Sequence, residues 1–401
     1  MACFDNRFGM FVHWGIYALT GLHEQAFARY ELDRTEYEAL AKKFNPVKFD
    51  ADALVSLAKE AGMRYICFTA KHHDGFCMWN TRYTDFNIMN TPYGKDILKE
   101  LSDACARQGM ALSIYYSNPD WHEKSAYNPL SSHQWRSDFK ETADLEKYRE
   151  FIKNQITELL TNYGPIYSLF WDIPPCIEDK SINALVRKLI PGILINDRGW
   201  DAGDFSTPER EILEGERFTK LTEACQSVGR QSWGYRRDED YYSASYLMKS
   251  IDKTMAMGGS YLLNIGPMAD GRVPLRAKQL IKRIGKWYNA LGCSLEFADE
   301  DENTYSILDN PAFIALKKQG KTYLHFYNGI NTSSITFTEC PYVPKAAKLM
   351  NTGKQLRVRC EKLPMVHFDN ERGVIESPAV SLADIPTDKL AGEPIVIEVE
   401  W

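Results

Sequence analysis

Between residues 7 and 292, short β-rich runs alternate with amphipathic helical stretches. That alternation limits the chain to a parallel sheet with helices laid outside it. The β-runs are "RFGMFVHWG" (7–15), "YICFTA" (65–70), "ALSIYYS" (111–117), "SLFWDI" (168–173), "ILIND" (193–197) and "SYLLNIGP" (260–267). Apolar residues fall at helical spacing in 34–44, 50–62, 95–109, 144–164, 181–192, 243–257 and 275–292. Asp50 stands as the cap of the second of these helices, and Gly62 and Gly109 stop the second and third. About 285 residues suit an eight-fold (β/α) barrel of the TIM type better than a doubly wound sheet. Six strands are identified, so the irregular region 200–240 must hold the others. No GxGxxG or GxxxxGK[ST] follows any strand, which removes the nucleotide-binding alternatives.

After Gly292 helical periodicity disappears, and short β-runs such as "TYSIL", "SSITFTE", "LRVRC" and "PIVIEVEW" take over. The expected organisation is a barrel domain over 1–296 and an antiparallel β-sandwich over 297–401. A hydrophobic content of 44% with 25% charged residues fits a fully folded chain. A net charge of −6 argues against a nucleic-acid partner. No apolar run approaches the ~18 residues of a membrane span. The nine cysteines are spread singly with no CxxC pair, so they read as buried free thiols rather than a zinc site or disulfide framework. The chain has no signal peptide, but "MACFDNRFGMF" runs almost directly into a strand. The expected location is secreted, periplasmic or lysosomal-type if a leader has been removed, and otherwise cytoplasmic. Asn331-Thr332-Ser333 matches a glycosylation triplet.

In a parallel barrel, functional residues sit at the C-terminal ends of strands and on the loops that follow. Those positions carry His13-Trp14 and then Glu24; Lys71-His72-His73-Asp74; Tyr115-Tyr116 with Asp120-Trp121; Trp171-Asp172; and Asn196-Asp197-Arg198 with Asp204 and Glu209. Trp233-Gly234-Tyr235 adds a further aromatic group. Aromatic faces beside hydrogen-bonding groups suit sugar rings, whose faces are apolar and whose rims are hydroxyls. His72 and His73 are adjacent rather than spaced for metal binding, and HExxH is absent. A GxSxG elbow is also absent. The remaining option is a pair of carboxylates acting on a glycosidic bond, with neutral histidines and an arginine holding hydroxyls. The plainer alternative makes Asp172 a strand-end ion pair with Arg198, and the two histidines loop caps.

"RFGMFVHWGIYAL", "AKHHDGFCMW", "YYSNPDWH", "NDR", "SWGYRRDED" and "YLLNIGPMADG" together resemble the α-L-fucosidases of glycoside hydrolase family 29, from about residue 6 to 290. The resemblance implies a (β/α) barrel followed by a β-domain, a retaining mechanism and no metal or organic cofactor. It implies that Asp172 is the nucleophile, and that His13, Glu24, His72, His73, Tyr115 and Arg198 bind the sugar. Trp171 would be an aromatic beside the nucleophile, and Trp171 and Trp233 would face the fucose methyl. For the acid/base, the resemblance points to Glu209 first and Glu223 second, with Glu211, Glu214 and Glu216 in reserve. Two positions depart from the family pattern: Gln25 stands where an aromatic is common, and Ile173-Pro174-Pro175 follows the nucleophile in place of a looser loop. The implied substrate is a fucosylated oligosaccharide or glycoconjugate. The alternatives are the same chemistry on α-L-galactose, or a carbohydrate-binding protein with a decayed site.

Overall fold

Helix starts are set by short polar side chains that accept an exposed N–H of the first turn. The computed structural model describes residues 6–211, 217–296, 298–364 and 374–401. Two short helices come first, α1 (Ala26–Arg29) and α2 (Arg34–Glu38). The single helix expected over 34–44 is α2 followed by a 3₁₀ turn, Ala39–Lys43. Asp50, Asp96, Asp144 and Asp179 then cap α3 (Ala51–Glu60), α4 (Ile97–Gln108), α5 (Leu145–Asn162) and α6 (Lys180–Leu189). Ser243 caps α7 (Ala244–Ala256), and α8 (Leu275–Leu291) follows. Among the described residues no helix is long and apolar enough to cross a membrane.

The strands between them are β1 (Phe8–Val12), β2 (Tyr65–Lys71), β3 (Ala111–Ser117), β4 (Ile166–Asp172), β5 (Leu194–Ile195), β6 (Glu223–Ser227) and β7 (Ser260–Ile265). All pair in parallel in the order β5-β4-β3-β2-β1-β7-β6. Every residue of β1, β2, β6 and β7 is buried, as expected of strands covered on both sides. Phe11, Tyr65, Cys67, Tyr115, Phe170, Cys225 and Leu262 form one apolar layer inside the curve.

The gap between β5 and β6 is bridged by the segment 204–210. Asp204 N donates to Ile195 O and Asp197 N to Phe205 O; on the other side Glu223 N donates to Ser206 O and Cys225 N to Pro208 O. These isolated parallel bridges make 205–209 an eighth stave, and Glu209 lies on it opposite Cys225. Pro208 supplies no N–H, which keeps the pairing on this stave to single bridges.

The chain divides into two compact units. The first runs to Glu211 and takes in Phe218–Tyr242 and Gly259–Lys282; the second includes Ser243–Gly258 and Arg283–Trp401. The second carries β8 (Asp299–Glu300), β9 (Ser306–Ile307), β10 (Ile314–Lys318), β11 (Lys321–Phe326), β12 (Ser334–Glu339), β13 (Ala346–Leu349), β14 (Lys354–Pro364), β15 (Val374–Ala383) and β16 (Ile395–Glu400). Their antiparallel order is β8-β10-β11-β16-β13-β14-β15-β12-β9. The start of β14 pairs with β13 and the rest with β15, so β14 carries the sheet round a corner. Leu324, Phe326 and Ile397 from one half share a core with Phe337, Val380 and Leu382 from the other, the packing of a sandwich.

Candidate active site

Side chains in a strand alternate between its faces, so Phe170 and Asp172 share one side of β4 and Trp171 the other. Asp172 is the last residue of β4. Its Oδ2 accepts from Tyr115 OH at 2.7 Å, and its Oδ1 accepts from Ile173 N at 3.0 Å and from Arg198 Nη1 at 3.2 Å. Burial alone would raise its pKa; the Arg198 guanidinium and the Tyr115 hydroxyl outweigh it and hold the carboxyl below the ordinary aspartate value. The turn after it is strained. Ile173 has φ +59°, a conformation that a β-branched residue rarely takes. Asn118 braces it, its amide donating to Ile173 O at 3.0 Å and Arg198 O at 3.1 Å.

Asp172 lies in an open pocket with His13, His72, Tyr115, Arg198, Glu209 and Trp233 in its lining. Burial pushes the histidines down: His13 to about 4, His73 to about 3, and His72 well below its usual value. Near pH 7 all three are therefore neutral, and their partners fix two of the tautomers. Asn264 donates from its amide to Ser227 Oγ and Trp233 O, so its Oδ1 accepts from His13 Nδ1 at 2.7 Å. Ser117 Oγ donates to Pro119 O and so accepts from His73 Nδ1 at 2.6 Å. The His73 Nε2 lone pair is left 3.8 Å from Asp172 Oδ2, buried and without a hydrogen-bond partner. Two acceptors facing each other across that gap call for a donor, and a sugar hydroxyl is one. His72 lies parallel to the Tyr115 ring, with centroids 5.7 Å apart, and its buried Nδ1 is also unpartnered.

Glu24 is 1% exposed. One oxygen accepts from Ser232 Oγ, Trp233 N and Gly234 N, while the other, buried, has no partner. This grip needs Gly234 to approach Gly266: a Cβ on Gly266 would stand 2.3 Å from the Gly234 carbonyl carbon. Trp233 stacks on His13, with centroids 5.3 Å apart.

Arg198 connects two carboxylates. Its Nη1 donates to Glu209 Oε2 at 2.8 Å as well as to Asp172, and its Nε donates to Thr207 Oγ1 at 2.7 Å. Glu209 is 43% exposed at the cavity rim. Glu223 is elsewhere. It is the first residue of β6, opposite the first residue of β7, whereas Asp172 ends its strand. Its carboxylate accepts from Tyr65 OH at 2.6 Å at the other end of the barrel, where burial pushes its pKa up to about 7. Glu211 is exposed, and Glu214 and Glu216 lie outside the described residues.

Trp171 corrects an expectation. Its indole points away from the cavity, donating to Asn183 Oδ1 of α6 at 2.9 Å, with Gly199 fitted so closely that a Cβ there would stand 2.3 Å from the ring. The aromatic beside Asp172 on the cavity side is Phe170, which period-two counting back from Asp172 identifies. Gln25, His133 and Phe11 also line the cavity; His133 sits in an irregular loop that offers no periodic signal. Of the other polar residues at strand ends, Lys71 and Asp120 form a buried ion pair at 2.7 Å, Asp74 accepts from Tyr37 OH, and Asp204 pairs with Arg187. Among the described residues, no three His, Cys, Asp or Glu side chains are grouped to hold a metal ion.

The chain is similar to characterised proteins over this region and beyond it. A family model described as α-L-fucosidase matches residues 2–293. The plasma α-L-fucosidase of Homo sapiens is 26% identical over 321 residues, covering 73% of this chain and 68% of its own. The solved structure of α-L-fucosidase isoenzyme 1 from Paenibacillus thiaminolyticus is 29% identical with a TM-score of 0.85, covering 98% of this chain and 96% of its own. A Bacteroides thetaiotaomicron α-L-fucosidase of family GH29, solved as a trapped covalent intermediate with 2-fluoro-fucosyl fluoride, is 25% identical with a TM-score of 0.77, covering 99% and 94%.

Proposed function

The chain belongs to the α-L-fucosidase family of glycoside hydrolases, and from that premise we propose that it is a retaining, exo-acting enzyme releasing terminal α-L-fucosyl residues from oligosaccharides or glycoconjugates. One observation carries the reading. Arg198 Nη1 lies 3.2 Å from Asp172 Oδ1 and 2.8 Å from Glu209 Oε2, so those two oxygens are at most about 6 Å apart. Carboxyl groups about 5–5.5 Å apart leave room for a double displacement but not for a water between them and the sugar.

In this mechanism Asp172, kept ionised by Arg198 and Tyr115, attacks the anomeric carbon and forms a glycosyl ester. Glu209 gives a proton to the departing oxygen, then takes one from the water that opens the ester, so the anomeric configuration is kept. A carboxyl delivering a proton cannot remain paired with Arg198, so the Arg198–Glu209 contact opens when the sugar enters. His13, His72, His73 and the unpartnered Glu24 oxygen receive hydroxyl hydrogens. Phe11, Phe170 and Trp233 form an apolar wall suited to the methyl group of fucose. That wall favours fucose over α-L-galactose, whose C6 hydroxyl would meet it without a partner.

The test is turnover of p-nitrophenyl α-L-fucoside against the α-L-galactoside, with the anomer of the first-formed sugar followed by NMR. We expect retained configuration, preference for the fucoside, and a loss of about 10³-fold or more in Asp172→Ala. Inversion, or near-normal activity in that variant, would overturn the assignment; no turnover by the wild type would leave a binding protein.

A further inference from the structure

Glu209 stands on the 205–209 stave, which is bridged to β6 on one side and to the end of β5 on the other. No helix of the described residues lies between β5 and this stave, or between it and β6. Its pairing with either neighbour consists of single bridges. The next residue, Arg210, has φ +59°, so the chain turns sharply after the carboxylate. Its N–H is held by Cys225 O at 3.0 Å. The side chain then reaches across to the loop that carries Trp233. Nη1 donates to Arg230 O at 2.9 Å, with Gly229 O at 3.4 Å, and the guanidinium carbon lies 4.4 Å from the centre of the Trp233 ring. Trp233 in turn stacks on His13 and lends its backbone N–H to Glu24.

We propose that Arg210 is a positioning residue that ties the Glu209 stave to the Trp233 wall and sets where the carboxyl stands relative to the leaving oxygen. It touches no reacting atom and acts through Glu209. The inference rests on Glu209 being the acid/base.

A positioning role for the acid has a signature that loss of structure lacks. Substrates with poor leaving groups need the proton, and α-L-fucosyl fluoride needs it far less. In Arg210→Met, kcat/KM for an alkyl α-L-fucoside should fall by about 10-fold or more beyond any loss on the fluoride, within the range that general acid catalysis supplies. The alkaline limb of the pH–rate profile should also move. Arg210→Lys, which keeps the charge over Trp233 but not the forked donor, should lie between, and it serves if the methionine variant does not fold. Equal losses on both substrates, or none, would overturn the proposal. Glu209→Ala is the control. If it shows no leaving-group dependence and no rescue by azide, the acid/base reading itself has failed, whatever Arg210 does.

Discussion

Glu223→Gln separates a carboxyl that works on substrate from one that only titrates. Glu223 is 1% exposed, and burial raises its pKa from 4.5 to about 7. In an unfolded chain it ionises near 4.5, so between those values the folded state holds a proton that the unfolded state has released. Stability therefore falls as pH rises through that window, by about 1.4 kcal/mol per pH unit, and levels off above pH 7. The whole fall is on the order of 3 kcal/mol. Glutamine keeps an oxygen for Tyr65 OH and cannot ionise. Urea unfolding at pH 5 and pH 8, followed by the near-UV signal, should show the wild type losing stability relative to the variant by roughly that amount. Hydrolysis of p-nitrophenyl α-L-fucoside at pH 6 should differ less than threefold between them. Parallel stability curves would refute the burial argument, and a loss of about 10²-fold in kcat would make Glu223 part of the chemistry.

Tyr115→Phe removes a hydroxyl that favours ionised Asp172 while keeping the ring stack, so the acid limb of kcat/KM should shift to higher pH by about one unit; an unmoved limb would show that the bond is not maintained in solution. Asn118→Ala removes the bonds from its amide to Ile173 O and Arg198 O, and should cost about 1–3 kcal/mol in unfolding experiments, with kcat falling more than KM changes. Trp171→Phe should lower the melting temperature through the lost bond to Asn183 and leave KM for fucosides unchanged; a raised KM would return Trp171 to the sugar.

The parts of the fold that could be read from sequence are those where apolar content and periodicity agree. "YICFTA" and "ALSIYYS" announce themselves as strands because no helical face can be drawn through them. β6 does not, because Glu223, Gln226 and Ser227 are polar and buried only by what surrounds them. The 205–209 stave is hidden for a different reason: Pro208 interrupts it, and its neighbours, not its composition, make it extended. Strand-end counting picks out His13, His72, Tyr115 and Asp172, which line one pocket, and His73, which faces Asp172. Trp171 was misplaced where adjacency to Asp172 outweighed the alternation of faces. No sequence rule puts His133 in the cavity, because a loop between α4–β3 and α5 has no period to count.

The two carboxylates are mounted on supports of different kinds. Asp172 ends a strand paired on both sides, and moving it by one residue would reverse every side chain of β4. Glu209 is mounted on a seam that no helix of the described residues adjoins and that meets its neighbours through isolated bridges. In the proposed mechanism the barrel thus holds the point of attack on a paired strand and the proton donor on a bridged seam. For protein engineering, the seam is the place to graft new segments when a different leaving group is wanted, and β4 is the place to leave untouched.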